Sequence, residues 1–154
     1  MKFPSITLAS ASTAQVTTAK PGKVQLTFHI EKGFHINSNK PHSEVLIPTV
    51  LKLEPPTDVS VSRIIYPPGQ ELSLDFAPDE KLSVYSDDFT VTATVGAMRS
   101  TPPGTYKVRG TLNYQACDNR ACFPPKKLPV EFNVHVTKAE PAKHRRKPGQ
   151  SPHT

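Results

Sequence analysis

Four stretches of the chain alternate apolar and polar residues with a period of two. Val24, Leu26, Phe28 and Ile30 interleave with Gln25, Thr27 and His29; Phe89, Val91, Ala93 and Val95 interleave with Thr90, Thr92 and Thr94. Tyr106, Val108, Gly110, Leu112 and Tyr114 interleave with Lys107, Arg109, Thr111 and Asn113. Leu128, Val130, Phe132, Val134 and Val136 interleave with Pro129, Glu131, Asn133 and His135. Successive side chains of a strand point to opposite faces, so each stretch predicts a strand with one buried and one wet face. That is the habit of antiparallel sheets, since strands of parallel sheets are covered on both sides.

Weaker strand candidates lie at Phe34–Ile36, Leu46–Leu53, Val59–Ile65 and Leu82–Tyr85, and Pro48 makes the second an edge or irregular strand. Turn signals separate them: Pro21-Gly22, Pro55-Pro56, Pro67-Pro68-Gly69 and Pro102-Pro103-Gly104. No stretch has helical periodicity, and 17 prolines in 154 residues, with only 7 glycines, argue against helices and for short strands joined by stiff loops. Seven or eight short strands with this punctuation predict an all-β chain, an immunoglobulin-like antiparallel β-sandwich. The expected organisation is a flexible segment over 1–15, the sandwich over 16–137 and a disordered basic tail over 138–154.

The net charge of +6 raises a nucleic-acid reading, but its distribution removes it. Lys138, Lys143, Arg145, Arg146 and Lys147 against Glu140 give the tail four of the six charges, leaving two for everything before it. Such a low-hydrophobicity, charged stretch is expected to be solvated and disordered, not a folded binding face. No apolar run approaches the ~20 residues that span a bilayer. The first residues lack a long apolar core and contain Pro4, so no intact signal peptide is visible.

The two strongest strands, Tyr106–Tyr114 and Leu128–Val136, are consecutive and expected to pair as a hairpin. Thirteen residues, Gln115 to Lys127, separate them. Hairpin loops usually hold two to five residues, and long loops on rigid strands are where function tends to sit. Both cysteines of the chain, Cys117 and Cys122, are in this loop, in the spacing C-x4-C. A disulfide there would close six residues and contribute only about 2 kcal/mol through chain entropy, which favours a redox role. Spacing alone leaves three possibilities: an exchange pair, a small structural staple, or a zinc site completed by His35 or His42. Zinc sites prefer C-x2-C pairs and need four ligands, which disfavours the last. His29 and His135 fall on polar strand faces and read as surface residues.

The segment Tyr114-Gln115-Ala116-Cys117-Asp118-Asn119-Arg120-Ala121-Cys122-Phe123-Pro124-Pro125 resembles the N-terminal domain of the thiol:disulfide interchange protein DsbD, which carries a YQxC…C-[FLY]-P-P segment before its last strand. Lys32-Gly33-Phe34-His35-Ile36-Asn37 is similar to the family's GWH or GYY strand start. Tyr66-Pro67-Pro68-Gly69 is similar to its YP-P-G turn, and Val84-Tyr85-Ser86-Asp87-Asp88-Phe89 to the approach to a central strand. The resemblance runs from about Val16 to Val136. It implies an immunoglobulin-like fold and a periplasmic or secreted setting. The implied activity is dithiol–disulfide exchange of the protein-disulfide reductase kind, without a cofactor or metal. The implied partners are thioredoxin-like periplasmic proteins and a membrane electron-donor domain, with the domain itself a monomer.

Carried over, Cys117 and Cys122 are the redox pair, and Cys122 forms mixed disulfides. From their positions in the sequence, Tyr114 and Phe123 are expected either to pack around the pair or to serve as core or loop anchors. Asp118 lies inside the loop, where its charge opposes the thiolate that Arg120 favours. The family shields its cysteines with an aromatic cap loop, for which the resemblance points to Leu74–Lys81 with Phe76 as the cap ring, although the family's glycine is missing. The chain also ends after the sandwich, without membrane helices or a thioredoxin domain, which suggests an excised domain or a free-standing relative. The competing function is a non-enzymatic immunoglobulin-like interaction module whose C-x4-C disulfide is structural.

Overall fold

A computed structural model describes residues 4–74 and 77–139 of the chain. Among these residues there are twelve strands and no helix. One four-stranded sheet runs β1 (Ile6–Ala11), β3 (Gly22–Ile30), β9 (Asp88–Ala97) and β6 (Val59–Ile65) in spatial order. A second runs β2 (Ala14–Thr17), β12 (Lys126–Thr137), β10 (Gly104–Tyr114) and β5 (Val50–Glu54). Their inner faces supply most of one continuous hydrophobic core, the arrangement of an immunoglobulin-like sandwich.

The period-two pattern sets which side chains enter that core. Val24, Leu26, Phe28 and Ile30 on β3 are fully buried, as are Val91, Ala93 and Val95 on β9 and Val108 and Leu112 on β10. Val130, Phe132, Val134 and Val136 on β12 are buried opposite them. Each such Val, Leu, Ile or Phe side chain contributes about 1.5–3 kcal/mol by leaving water. The expected hairpin forms: β10 and β12 pair antiparallel from Gly104–Val136 to Tyr114–Lys126.

Three sequence expectations need correction. Residues 6–15 are not a loose segment: β1 pairs with β3, Ile6 and Ala14 are buried, and β2 pairs with β12. The β2–β12 pairing is parallel, the exception in an otherwise antiparallel structure. Finally, the strand expected from Leu46 begins only at Val50, because Pro48 has no backbone N–H to give a ladder. The tail expected to be disordered lies, from residue 140 on, outside the described residues.

A third, smaller sheet carries the site. Its order is β11 (Ala116–Cys117), β4 (His35–Asn37), β8 (Ala77–Tyr85) and β7 (Gln70–Leu74). Three of its strands continue long strands of the sandwich: β4 follows β3, β8 leads into β9, and β11 follows β10. Because β3 and β9 belong to one main sheet and β10 to the other, the small sheet joins both at one end. A row of stacked rings marks the junction, with Phe28 5.2 Å from Phe89 and Tyr85 4.6 Å from Phe89 between centroids.

Two left-handed residues redirect the chain there. Gly33 (φ 93°) lies between β3 and β4, and Asp87 (φ 59°) between β8 and β9. Asp is among the few residues with side chains that tolerate this region. The Asp87 carbonyl accepts the Ile30 N–H at 2.8 Å, tying the two bends together. A Cβ at Gly33 would meet no atom within 4 Å, so a substitution there tests backbone strain alone. Gly33→Ala is therefore expected to lower stability by about 1–2 kcal/mol, the usual left-handed penalty for an L-residue, as measured by urea unfolding.

Candidate functional site

The eleven residues between β10 and β12, Gln115 to Pro125, are not an open loop. After Gln115 the chain forms β11, which pairs antiparallel with β4: Ala116 lies opposite Ile36, and Cys117 opposite His35. It then doubles back in a tight hairpin. Asp118 N–H donates to the Ala121 carbonyl at 2.9 Å, and Phe123 N–H donates to the Ala116 carbonyl at 2.8 Å. Between these two bonds Cys117 and Cys122 face each other as a bridge pair. Opposed residues of this non-hydrogen-bonded type bring their Cα atoms closest, and here the Cα separation is 3.9 Å. The two sulfurs are joined in a disulfide of 2.06 Å.

The turn is held by its own side chain. Asp118 Oδ1 accepts the N–H groups of Arg120 at 2.8 Å and Ala121 at 2.9 Å. These backbone donors hold the Asp118 carboxyl below the ordinary carboxylate range. On the return limb, Gln115 Nε2 donates to the Phe123 carbonyl at 3.3 Å, and the Phe123 ring meets Phe34 edge to face at 5.8 Å.

The two cysteines are unequal. Cys117 is 2% exposed, whereas Cys122 is exposed. Both line an open cleft of about 420 Å³. Its other walls include Asn37 of β4, Val45 and Leu46 of the loop after β4, and Glu80 and Leu82 of β8. That loop is stitched down by buried polar groups. Asn37 Nδ2 donates to the Ile47 carbonyl at 2.9 Å, and Thr49 Oγ1 donates to the Asn37 carbonyl at 2.5 Å. Ser38 and Ser83 join hydroxyls at 2.8 Å, and on the exposed surface His42 Nε2 meets Glu71 Oε2 at 2.7 Å. Val45 nonetheless points outward and is 86% exposed at the cleft rim.

The residues singled out in the sequence divide as follows. Tyr114 is a buried core residue at the end of β10, and burial pushes its hydroxyl pKa up. Phe123 follows Cys122 in the chain and sets its ring against Phe34, and Asp118 orders the turn between the cysteines. Phe76 lies outside the described residues. His29 and His135 are surface residues, bonded to Asp88 at 2.6 Å and to Thr105 at 3.2 Å.

Of the two histidines raised in the sequence as zinc ligands, His35 lies opposite Cys117 and His42 lines the cleft with both cysteines, whose sulfurs are bonded to each other. His35 is 5% exposed, and burial lowers its pKa from 6.5, with the Asp118 charge opposing in part. Sequence reasoning missed the rim residue Val45 and the direct pairing of His35 with Cys117. The Gly33-Phe34-His35 motif was the signal that could have found the second.

Comparison with known families and structures gives a consistent result. Residues 6–134 match the family model described as "Thiol:disulfide interchange protein DsbD, N-terminal". Among solved structures, the N-terminal domain of DsbD from Neisseria meningitidis in the reduced form is 23% identical, with a TM-score of 0.43, covering 73% of this chain and 75% of that one. A complex between the DsbD and PilB N-terminal domains from Neisseria meningitidis matches at 21% identity and TM-score 0.43, covering 72% and 73%. The N-terminal periplasmic domain of ScsB from Proteus mirabilis matches at 16% identity and TM-score 0.51, covering 81% of this chain and 44% of that one. Comparison with curated protein sequences returns no match.

The burial of His35 has a consequence for acid stability. The unfolded chain protonates His35 near 6.5, while the folded ring stays neutral to lower pH. Below about 6.5 the unfolded state thus binds more protons, and stability falls with pH until the folded value is reached. Urea unfolding between pH 7.5 and 5 is expected to show this loss in the wild type and a smaller one in His35→Gln.

Proposed function

Since the chain belongs to the family of DsbD N-terminal domains, we propose that it exchanges dithiol for disulfide through Cys117 and Cys122, passing reducing equivalents to oxidised partner proteins. The observation that carries this reading is the asymmetry of the pair: one buried cysteine and one exposed cysteine, on the wall of an open cleft. A staple needs no such access. Exchange requires one sulfur that an incoming thiolate can reach and another that leaves or resolves.

In the reduced domain the Cys122 thiolate attacks a sulfur of the partner's disulfide. A bond forms between Cys122 and that sulfur, and the partner's second sulfur leaves as a thiolate. Cys117 gives up its proton and, as the thiolate, attacks Cys122 Sγ, restoring the disulfide and freeing the partner's remaining sulfur as a thiolate. Two electrons and two protons pass to the partner. The protein supplies access, orientation and a tight turn that keeps the cysteines opposed, so the second step is intramolecular and fast.

The partner we infer is a thioredoxin-like protein of the periplasm, with reduction of the pair by a membrane electron-donor domain. Family membership supports the compartment and the class of partner.

Replacing Cys117 with Ser keeps the exposed Cys122 and removes the resolving sulfur. This variant is expected to accumulate a mixed disulfide with an oxidised thioredoxin-like protein, visible on a non-reducing gel, while Cys122→Ser forms none. The double Cys117→Ser, Cys122→Ser variant should lose exchange but keep a cooperative unfolding transition, lowered by about 2 kcal/mol. Loss of that transition would instead assign the disulfide a structural role.

A further inference from the structure

Among the described residues, His35 Nε2 is the buried side-chain nitrogen or oxygen that has no hydrogen-bond partner. Buried polar groups are nearly always bonded, so each exception calls for a reason. This one sits on β4 directly opposite Cys117 of β11. Side chains of directly opposed residues in an antiparallel pair share a face, with Cβ atoms about 4.5–5.5 Å apart. The side chains of His35 and Cys117 are thus neighbours, on residues 5% and 2% exposed.

The two redox states make different demands at this spot. In the disulfide, Cys117 Sγ has no proton and little capacity as an acceptor. When a donor thiolate attacks Cys122 Sγ, a donor-to-Cys122 bond forms and the Cys122–Cys117 bond breaks. The bonding pair leaves on Cys117 Sγ as a thiolate. The donor's second thiolate then displaces Cys122, so a donor dithiol becomes a disulfide and the protein's disulfide becomes a dithiol. In both the intermediate and the product, Cys117 carries a charge or an S–H on a residue that is only 2% exposed. Such a group needs a protein partner there.

We propose that His35 is the positioning residue of the buried sulfur: its Nε2 stands unpaired while Cys117 is in the disulfide and bonds to Cys117 Sγ when the disulfide opens. As an N–H it donates to the thiolate; as a bare nitrogen it accepts from the thiol. Either tautomer stabilises the reduced state relative to the oxidised one. Burial keeps the ring neutral, and Asp118 at the turn is the charged group that acts on it. The role of Asn37, two residues on, differs, because its amide is already committed to the Ile47 carbonyl. The inference rests on the exchange reading of the pair.

The full chain is equilibrated with glutathione redox buffers at pH 7, and the oxidised fraction of the pair is measured for wild type, His35→Leu and His35→Gln. The loss of one hydrogen bond of ordinary net strength predicts that His35→Leu disfavours reduction by about tenfold, equal to ~30 mV for a two-electron couple. Glutamine retains a donor and an acceptor, and His35→Gln should stay within about threefold of wild type. In 15N-labelled wild type, the Nε2 resonance of His35 should shift between the oxidised and reduced forms, a readout that does not depend on any variant folding. Equal constants for His35→Leu and wild type, equal shifts for Leu and Gln, or an unmoved Nε2 resonance would each overturn the inference. A wild-type pair that does not equilibrate with glutathione at all would overturn the exchange reading itself, and this inference with it.

Discussion

The backbone pairing of Ala116–Cys117 with His35–Ile36 sets the character of the whole site. Two residues of ladder place Cys117 in a dry, three-strand environment and leave Cys122, only five positions on, facing solvent. Without that ladder the C-x4-C segment would be a surface loop with two equivalent sulfurs. The ladder in turn requires the long strands to overrun the sandwich: β3 must bend at Gly33 into β4, and β10 must continue past Tyr114 into β11. The left-handed bends and the row of Phe28, Phe89 and Tyr85 rings stabilise this overrun. The hydrophobic core therefore holds the fold together and also aims the strands that carry the chemistry.

The cleft over the disulfide is built with a different interaction. Its loop wall, from Ser38 to Thr49, is too polar and proline-rich to be held by apolar packing. It is fixed by buried hydrogen bonds among Asn37, Ser38, Thr49 and Ser83, each satisfied within the loop or with β8. Satisfied networks of this kind give one geometry, since any alternative leaves polar groups unpaired in a low dielectric. The wall is therefore held where it meets the sheet, and the exposed Val45 projects from the stretch between those anchors.

Much of the fold was legible because the long strands obey a single rule. On β3, β9, β10 and β12 one face is core and one is water, so the sequence alternates and the buried residues can be named in advance. The short elements carry no such signal. β4 has three residues, all buried, because the small sheet and the sandwich end cover both its faces. β11 has two residues. Neither length can display a period. β1 was missed for another reason: of its six residues only Ile6 is buried, as befits an edge strand, so no buried face repeats along it. The cysteine pair was visible from its motif, yet the difference between its two sulfurs was not, since that depends on a ladder with residues more than eighty positions away.

The N-terminal strand leaves one main sheet and joins the other across Ser12 and Thr13, lying beside β3 first and β12 afterwards. Those twelve residues occupy the outer position of both sheets at the same time. A chain trimmed at residue 17 would bare the hydrogen-bonding edges of β3 and β12 together, one on each layer. Unprotected edges recruit strands from other molecules, and two of them on one small domain would let copies add in both directions. The segment is thus a guard against self-association as much as a part of the scaffold.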